Sequence, residues 1–266
     1  MPFVRAADLV VQYDLSGAAG APVLMLANSL GTSFHMWDPA VPALAASYRV
    51  LRYDMRGHGL TSCTLGEDAA AATVARRADD AVALLDALGI ARVRFAGVSI
   101  GGMVGQRFAA EHPERVESVA LCATGNVIGP PSRWDARMET IRAGGLAAIA
   151  DGVMSGWFTE RMRREEPDVV QGFSTMLQRT PVDGYLEGCR AVRDADLRAD
   201  DARIRARTLV VSGAEDPSTT PAAGEALAAA VPGARFVTID GAAHIIPAEQ
   251  PDALARTLLA FFEEAR

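Results

Sequence analysis

The chain has 266 residues, half of them hydrophobic and 22% charged, with 33 acidic against 26 basic side chains and a formal net charge of −7. This balance excludes a disordered or collagen-like chain. It also argues against nucleic acid or an anionic membrane surface as partner, while leaving open a small anionic ligand, which feels local rather than net charge.

In chain order, Val10–Leu15 reads as an antiparallel lead-in strand, and Val23–Ala27 and Arg49–Tyr53 read as strands. The alanine tract Ala69–Ala72 has helix preference and precedes a helical pattern over Thr73–Leu88, closed by Gly89. A strand over Val93–Ala96, a helix over Gly101–Glu111 and a strand over Ser118–Cys122 follow. The last third repeats the alternation: strand Thr208–Ser212, helix Pro221–Ala230 ending before Pro232-Gly233, strand Arg235–Ile239 and helix Asp252–Glu264. Most of these strands are continuous apolar runs, as expected for strands buried on both faces of a parallel sheet. An α/β fold with a mostly parallel central sheet and helices on both faces is therefore predicted.

From about Gly125 to Asp200 the alternation stops. Helical periodicity continues without a strand, punctuated by Pro130-Pro131, Gly144-Gly145, Pro167 and Pro181. The expected organisation is a core of residues 1–124 and 201–266 interrupted by a helical cap over 125–200. Met1 to Asp8 shows no basic region followed by an apolar stretch, and no run approaches 18 uncharged apolar residues, so neither a secretory signal nor a membrane span is expected. Three widely spaced cysteines (Cys63, Cys122, Cys189) fit a reduced cytoplasmic setting. The histidines (His35, His58, His112, His244) stand far apart and no Cys/His pair has zinc-like spacing, so no metal or other cofactor is implied.

Gly97-Val98-Ser99-Ile100-Gly101 sits between a predicted strand and a predicted helix. G-x-S-x-G in that context is a nucleophile elbow, a turn so sharp that flanking side chains would collide and the serine hydroxyl stands above the sheet. Serine needs a base and an orienting acid. Asp216 follows the strand Thr208–Ser212, with Glu215 as the neighbour to be distinguished from it, and His244 follows Arg235–Ile239. Both loops leave the carboxyl edge of the sheet, the edge that carries Ser99. The oxyanion of an acyl-transfer intermediate needs two amides: Ile100, after the serine, and Leu30, in the loop Asn28-Ser29-Leu30-Gly31-Thr32.

With these residues the chain resembles the α/β-hydrolase superfamily, to which Asp54-Met55-Arg56-Gly57-His58-Gly59-Leu60-Thr61-Ser62 is also similar. The resemblance implies an α/β-hydrolase fold and a loop-shaping rather than catalytic role for Asp54, Arg56 and His58. Within the superfamily the chain is most similar to the 3-oxoadipate enol-lactonases. That resemblance is carried by Asn28-Ser29 where many relatives have His-Gly, Gly101-Gly102-Met103, Ile128 to Arg137, Trp157-Phe158-Thr159 and Asp216 to Pro221. Ile245-Ile246-Pro247 departs from the more polar pair usual there.

The resemblance implies a small anionic lactone as substrate, with Arg137, or Arg133 one helical turn before it, pairing with the carboxylate and Trp134 covering the ring. A solvated arginine face beside a core tryptophan would give the same pattern. The run Arg161 to Glu166 carries its own balancing acids and is read as solvated. A general carboxylesterase or cofactor-free perhydrolase with the same triad, and a non-catalytic small-molecule receptor on this fold, remain open at this point. Oligomeric state is not expressed in the sequence.

Overall fold

The computed structural model describes residues 2–63 and 72–264, so Ala69–Ala71 of the alanine tract lie outside the described residues. The chain begins with a hairpin of β1 (Phe3–Ala6) and β2 (Leu9–Ser16), followed by β3 (Val23–Ala27), α1 (Val41–Ala45) and β4 (Arg49–Tyr53). After α2 (Val74–Ala87) come β5 (Val93–Val98), α3 (Ile100–Glu111) and β6 (Val116–Cys122). Five helices follow without a strand: α4 (Pro131–Gly144), α5 (Ala150–Trp157), α6 (Glu160–Glu165), α7 (Pro167–Arg179) and α8 (Val182–Arg193). A short α9 (Arg198–Asp201) leads back to β7 (Arg207–Gly213), α10 (Pro221–Ala230), β8 (Arg235–Ile239), α11 (Ile246–Glu249) and α12 (Pro251–Glu263).

The strands form one eight-stranded sheet in the order β1-β2-β4-β3-β5-β6-β7-β8. From β4 to β8 every pairing is parallel, while β1 and β2 pair antiparallel, as does β2 with β4. The core helices fall into two groups, α2 on α3 on α9 on α10 and α1 on α12, as expected for one layer on each face. Strands in the middle of the sheet are mostly apolar because both faces are covered: β5 is buried at every position, including Arg94, whose guanidinium pairs with Glu117 at 2.8 Å. The outermost parallel strand, β8, is mostly exposed, and the expectation of burial on both faces fails there because β8 has a neighbour on one side only.

Two helix ends explain why α2 starts and stops where it does. Thr73 caps its N-terminus by accepting from the Arg76 N–H at 3.1 Å. At the other end Gly89 takes a left-handed conformation (φ +66°), and the Ile90 and Gly89 amides bond back to the carbonyls of Leu85 and Asp86. All three cysteines are free, and among the described residues no helix is long and apolar enough to cross a membrane.

The loop after β4 is fixed by charge and by a buried histidine. Asp54 accepts from the Phe34 N–H at 2.7 Å and the Leu60 N–H at 3.0 Å, tying that loop to the one after β3. Arg56 binds the Asp80 carboxylate through two nitrogens, at 2.9 and 2.6 Å. His58 is fully buried, its Nδ1 3.0 Å from the Arg56 carbonyl oxygen. Burial pushes its pKa down from 6.5 to about 4, with Arg77 acting in the same direction and the Arg56 carbonyl against it.

A histidine buried neutral lets the unfolded chain bind the extra proton between these two values. Its contribution is therefore complete above about pH 6.5 and is lost as pH falls toward 4, by roughly 3 kcal/mol in all. Asp201, which burial pushes up to about 7, titrates in the opposite sense, so a variant must isolate the histidine. In urea unfolding, His58→Gln is expected to lose less stability than wild type between pH 7 and 4.5. Equal losses would show that His58 is not the group responsible.

Candidate active site

Ser99 stands alone between β5 and α3, with φ +59° and ψ −119°, a conformation that costs a residue with a Cβ on the order of 1–3 kcal/mol. Its backbone is held from three sides. The Ser99 N–H donates to the Cys122 carbonyl at 2.9 Å, and its own carbonyl accepts from Thr124 Oγ1 at 2.7 Å and from the Met103 N–H at 3.0 Å. A Cβ at Gly97 would collide with the Gly101 carbonyl, and one at Gly101 would lie 2.6 Å from the Asn28 carbonyl oxygen. The glycine spacing is thus a steric requirement of the elbow.

Beside the serine lies a carboxylate–histidine pair. Asp216 Oδ2 is 2.8 Å from His244 Nδ1, and both residues are almost completely buried. Three further donors fix the carboxylate: the Ser218 and Thr219 amides at 2.7 and 3.0 Å on Oδ1, and the Thr219 hydroxyl at 2.6 Å on Oδ2. Burial alone would raise the Asp216 pKa, but the charge and hydrogen bond of His244 and the two bonds from Thr219 outweigh it, so the carboxyl titrates below its ordinary range. Glu215 is exposed, which separates it from its neighbour.

The histidine loop is clamped in turn. The His244 and Ile245 amides both donate to the Trp157 carbonyl at 3.1 Å, and Glu249 accepts from the Ala243 N–H and from the backbone and hydroxyl of Thr159. Thr219 and Glu249 are missing from the sequence-based set. Nothing local distinguishes them, since their roles depend on which loops the fold brings together.

Ser99 and His244 line one cavity of about 60 Å³ with Ser29 and Leu30 from the loop after β3. That is a small space, with room for no more than a few waters. Ile100 opens α3, so its amide has no acceptor within the helix. In the orientation that satisfies both its ends, the Asn28 amide donates to the Tyr53 carbonyl and accepts from the Phe34 N–H, bracing the loop that carries Leu30.

The helices between β6 and β7 complete the wall. Arg133, Trp134 and Arg137 come from α4, Val153 and Trp157 from α5, and Tyr185 from α8. Trp134 donates to the Ile128 carbonyl at 2.6 Å. The Arg137 guanidinium lies 5.1 Å from the Trp134 ring centre and donates to the Tyr185 hydroxyl at 3.5 Å. Burial and the neighbouring Arg137 both push the Arg133 guanidinium down, so two cations face one small space.

The remaining candidates lie elsewhere. His35 pairs with Asp38 at 2.8 Å and His112 approaches Asp79 at 4.0 Å. Arg161 and Arg164 pair with Glu165 on the exposed face of α6, as read from the sequence. Ile245 and Ile246 are buried in the core and do not line the cavity, so the sequence departure there falls outside the site wall.

The profile of a family described as alpha/beta hydrolase fold matches residues 22–251. The chain belongs to the α/β-hydrolase fold family. Among curated relatives, it is 36% identical to 3-oxoadipate enol-lactonase 2 of Acinetobacter baylyi, over 94% of this chain and 92% of that one. It is 29% identical, over 99% of both chains, to the RutD protein of Azorhizobium caulinodans, which is named for carbamate hydrolysis. Among solved α/β-hydrolase structures, the enol-lactonase from Burkholderia xenovorans LB400 superimposes with a TM-score of 0.94 at 39% identity, covering 98% of this chain and all of that one.

Proposed function

We propose that the protein is a serine hydrolase that opens the lactone ring of 3-oxoadipate enol-lactone to give 3-oxoadipate. The observation that carries this reading is one small cavity lined by Ser99, by a histidine already bonded to a buried carboxylate, and by two arginines. In this reading residues 1–124 and 201–266 form the catalytic core and 125–200 its cap.

Ser99 Oγ attacks the lactone carbonyl while His244 takes its proton through Nε2, the nitrogen left free by Asp216. The ionised Asp216 holds the proton on Nδ1 and stabilises the imidazolium that forms. The amides of Leu30 and Ile100 stabilise the tetrahedral oxyanion. Collapse breaks the ring C–O bond and releases an enol, which takes the proton from His244 and tautomerises to the ketone. The released arm stays attached to the acyl group, so no fragment departs before water, activated by His244, hydrolyses the Ser99 ester.

Arg137, with Arg133 beside it, pairs with the substrate carboxylate, and Trp134 covers the ring. Such pairing acts on the bound ground state and the transition state alike. Arg137→Ala is therefore expected to raise KM for the enol-lactone by about 10- to 100-fold with little change in kcat, and to leave neutral esters nearly unaffected. An equal loss on an uncharged ester would contradict the carboxylate clamp. Carbamate hydrolysis is a second reading, favoured by the full-length similarity to a protein named for it. Relative kcat/KM for a carbamate and for the enol-lactone separates the two, and turnover of either removes a receptor without catalysis.

A further inference from the structure

The active-site cavity shares a wall with a second space. Arg137, Gly152 and Val153 line both that cavity and an open groove of about 320 Å³ bounded by Ala136 and Thr140 of α4 and by Ala148 and Ile149 before α5. Gly152 lies inside α5, where glycine weakens a helix relative to alanine. No packing contact requires it: a Cβ there would meet no atom within 4 Å. Gly188 on α8 is the contrast, since the Leu30 side chain occupies the space its Cβ would need.

We propose that the wall between α4 and α5 is the passage by which small anionic substrates reach Ser99. Gly152 sets the size admitted, and Arg137 is the cation that an arriving carboxylate meets first. This rests on the reading of Ser99 as nucleophile. A carboxylate moving from groove to cavity stays beside the same guanidinium, so its charge is not left uncompensated as water is stripped away. A side chain at position 152 would stand in the open part of that wall and leave the residues that perform the chemistry untouched.

The test is the second-order rate at which fluorophosphonates label Ser99, because labelling needs access as well as a reactive serine. Oγ bonds to phosphorus, fluoride leaves, and the proton goes to His244. A methyl-substituted and a bulky fluorophosphonate are compared on wild type, Gly152→Ala, Gly152→Trp and Gly172→Trp. Gly172, inside α7, also has open space around it but lines neither the cavity nor the groove.

Gly152→Ala is expected to melt above wild type, showing that the helix gains from a side chain there, and to be labelled at close to the wild-type rate. Gly152→Trp is expected to slow the bulky probe about tenfold and the small one much less, with Gly172→Trp unchanged for both. Wild-type rates for the bulky probe in folded Gly152→Trp would overturn the passage, as would equal slowing of that probe in Gly172→Trp. Failure of the wild-type protein to be labelled would overturn the nucleophile, and the passage with it.

Discussion

If Ser99 is the nucleophile of the proposed mechanism, Ser99→Ala is expected to lower kcat by about 10⁵- to 10⁶-fold while leaving the protein folded, since removing a triad serine costs nearly everything a triad contributes. The separation of activity from stability follows from the elbow itself. The strained backbone at Ser99 is held by bonds from its own amide and carbonyl, and the side chain makes no capping bond to α3. Alanine keeps the Cβ and the same backbone bonds, so a thermal melt should move little. Near-normal turnover of an activated ester by folded Ser99→Ala would rule out the acyl-enzyme.

Asp216→Asn is expected to cost about 10⁴-fold in kcat through the tautomer of His244. The carboxylate accepts from four donors: two backbone amides on Oδ1, and the Thr219 hydroxyl and His244 Nδ1 on Oδ2. An asparagine must put its NH₂ group in one of those two places. Facing the amides, it would oppose two donors that cannot turn. Facing Oδ2's partners, it meets a hydroxyl that can rotate and a ring that can accept at Nδ1 by moving its proton to Nε2. The second arrangement wins, and Nε2 can then no longer take the serine proton. Glu215→Gln, one residue away and exposed, serves as the control and should behave as wild type. A loss of less than about tenfold in Asp216→Asn would contradict the orienting role.

The sequence made the sheet legible because its central strands are buried on both faces and so are mostly apolar, with a few buried polar or charged residues such as Arg94 in β5. β3, β4 and β8 begin and end where the predicted strands do, and β5, β6 and β7 extend one or two residues further. β1 went unread for a local reason. It is four residues long at the sheet edge, and its two-residue turn is Ala7-Asp8, with Ala7 at φ +50° where asparagine or glycine would have signalled a hairpin.

That Ser99, Asp216 and His244 come together was legible because each follows a strand at the same sheet edge. Thr219 and Glu249 were not, because a hydroxyl on the acid and a carboxylate under the histidine loop acquire meaning only when β7, β8 and α5 meet. The arginines of α4 fall between these cases. A turn of helix between Arg133 and Arg137 places them on one face, but only the cavity shows that this face looks toward Ser99 and His244.

The opening of a small anionic lactone at Ser99 is tested most directly by steady-state kinetics on 3-oxoadipate enol-lactone, generated in place from its muconolactone precursor, beside p-nitrophenyl acetate and a simple carbamate. The expected result is a kcat/KM for the enol-lactone at least about 100-fold above that for either neutral substrate, the margin a paired carboxylate in a small cavity can supply. A kcat/KM for the neutral ester or the carbamate that equals or exceeds that for the enol-lactone would contradict it.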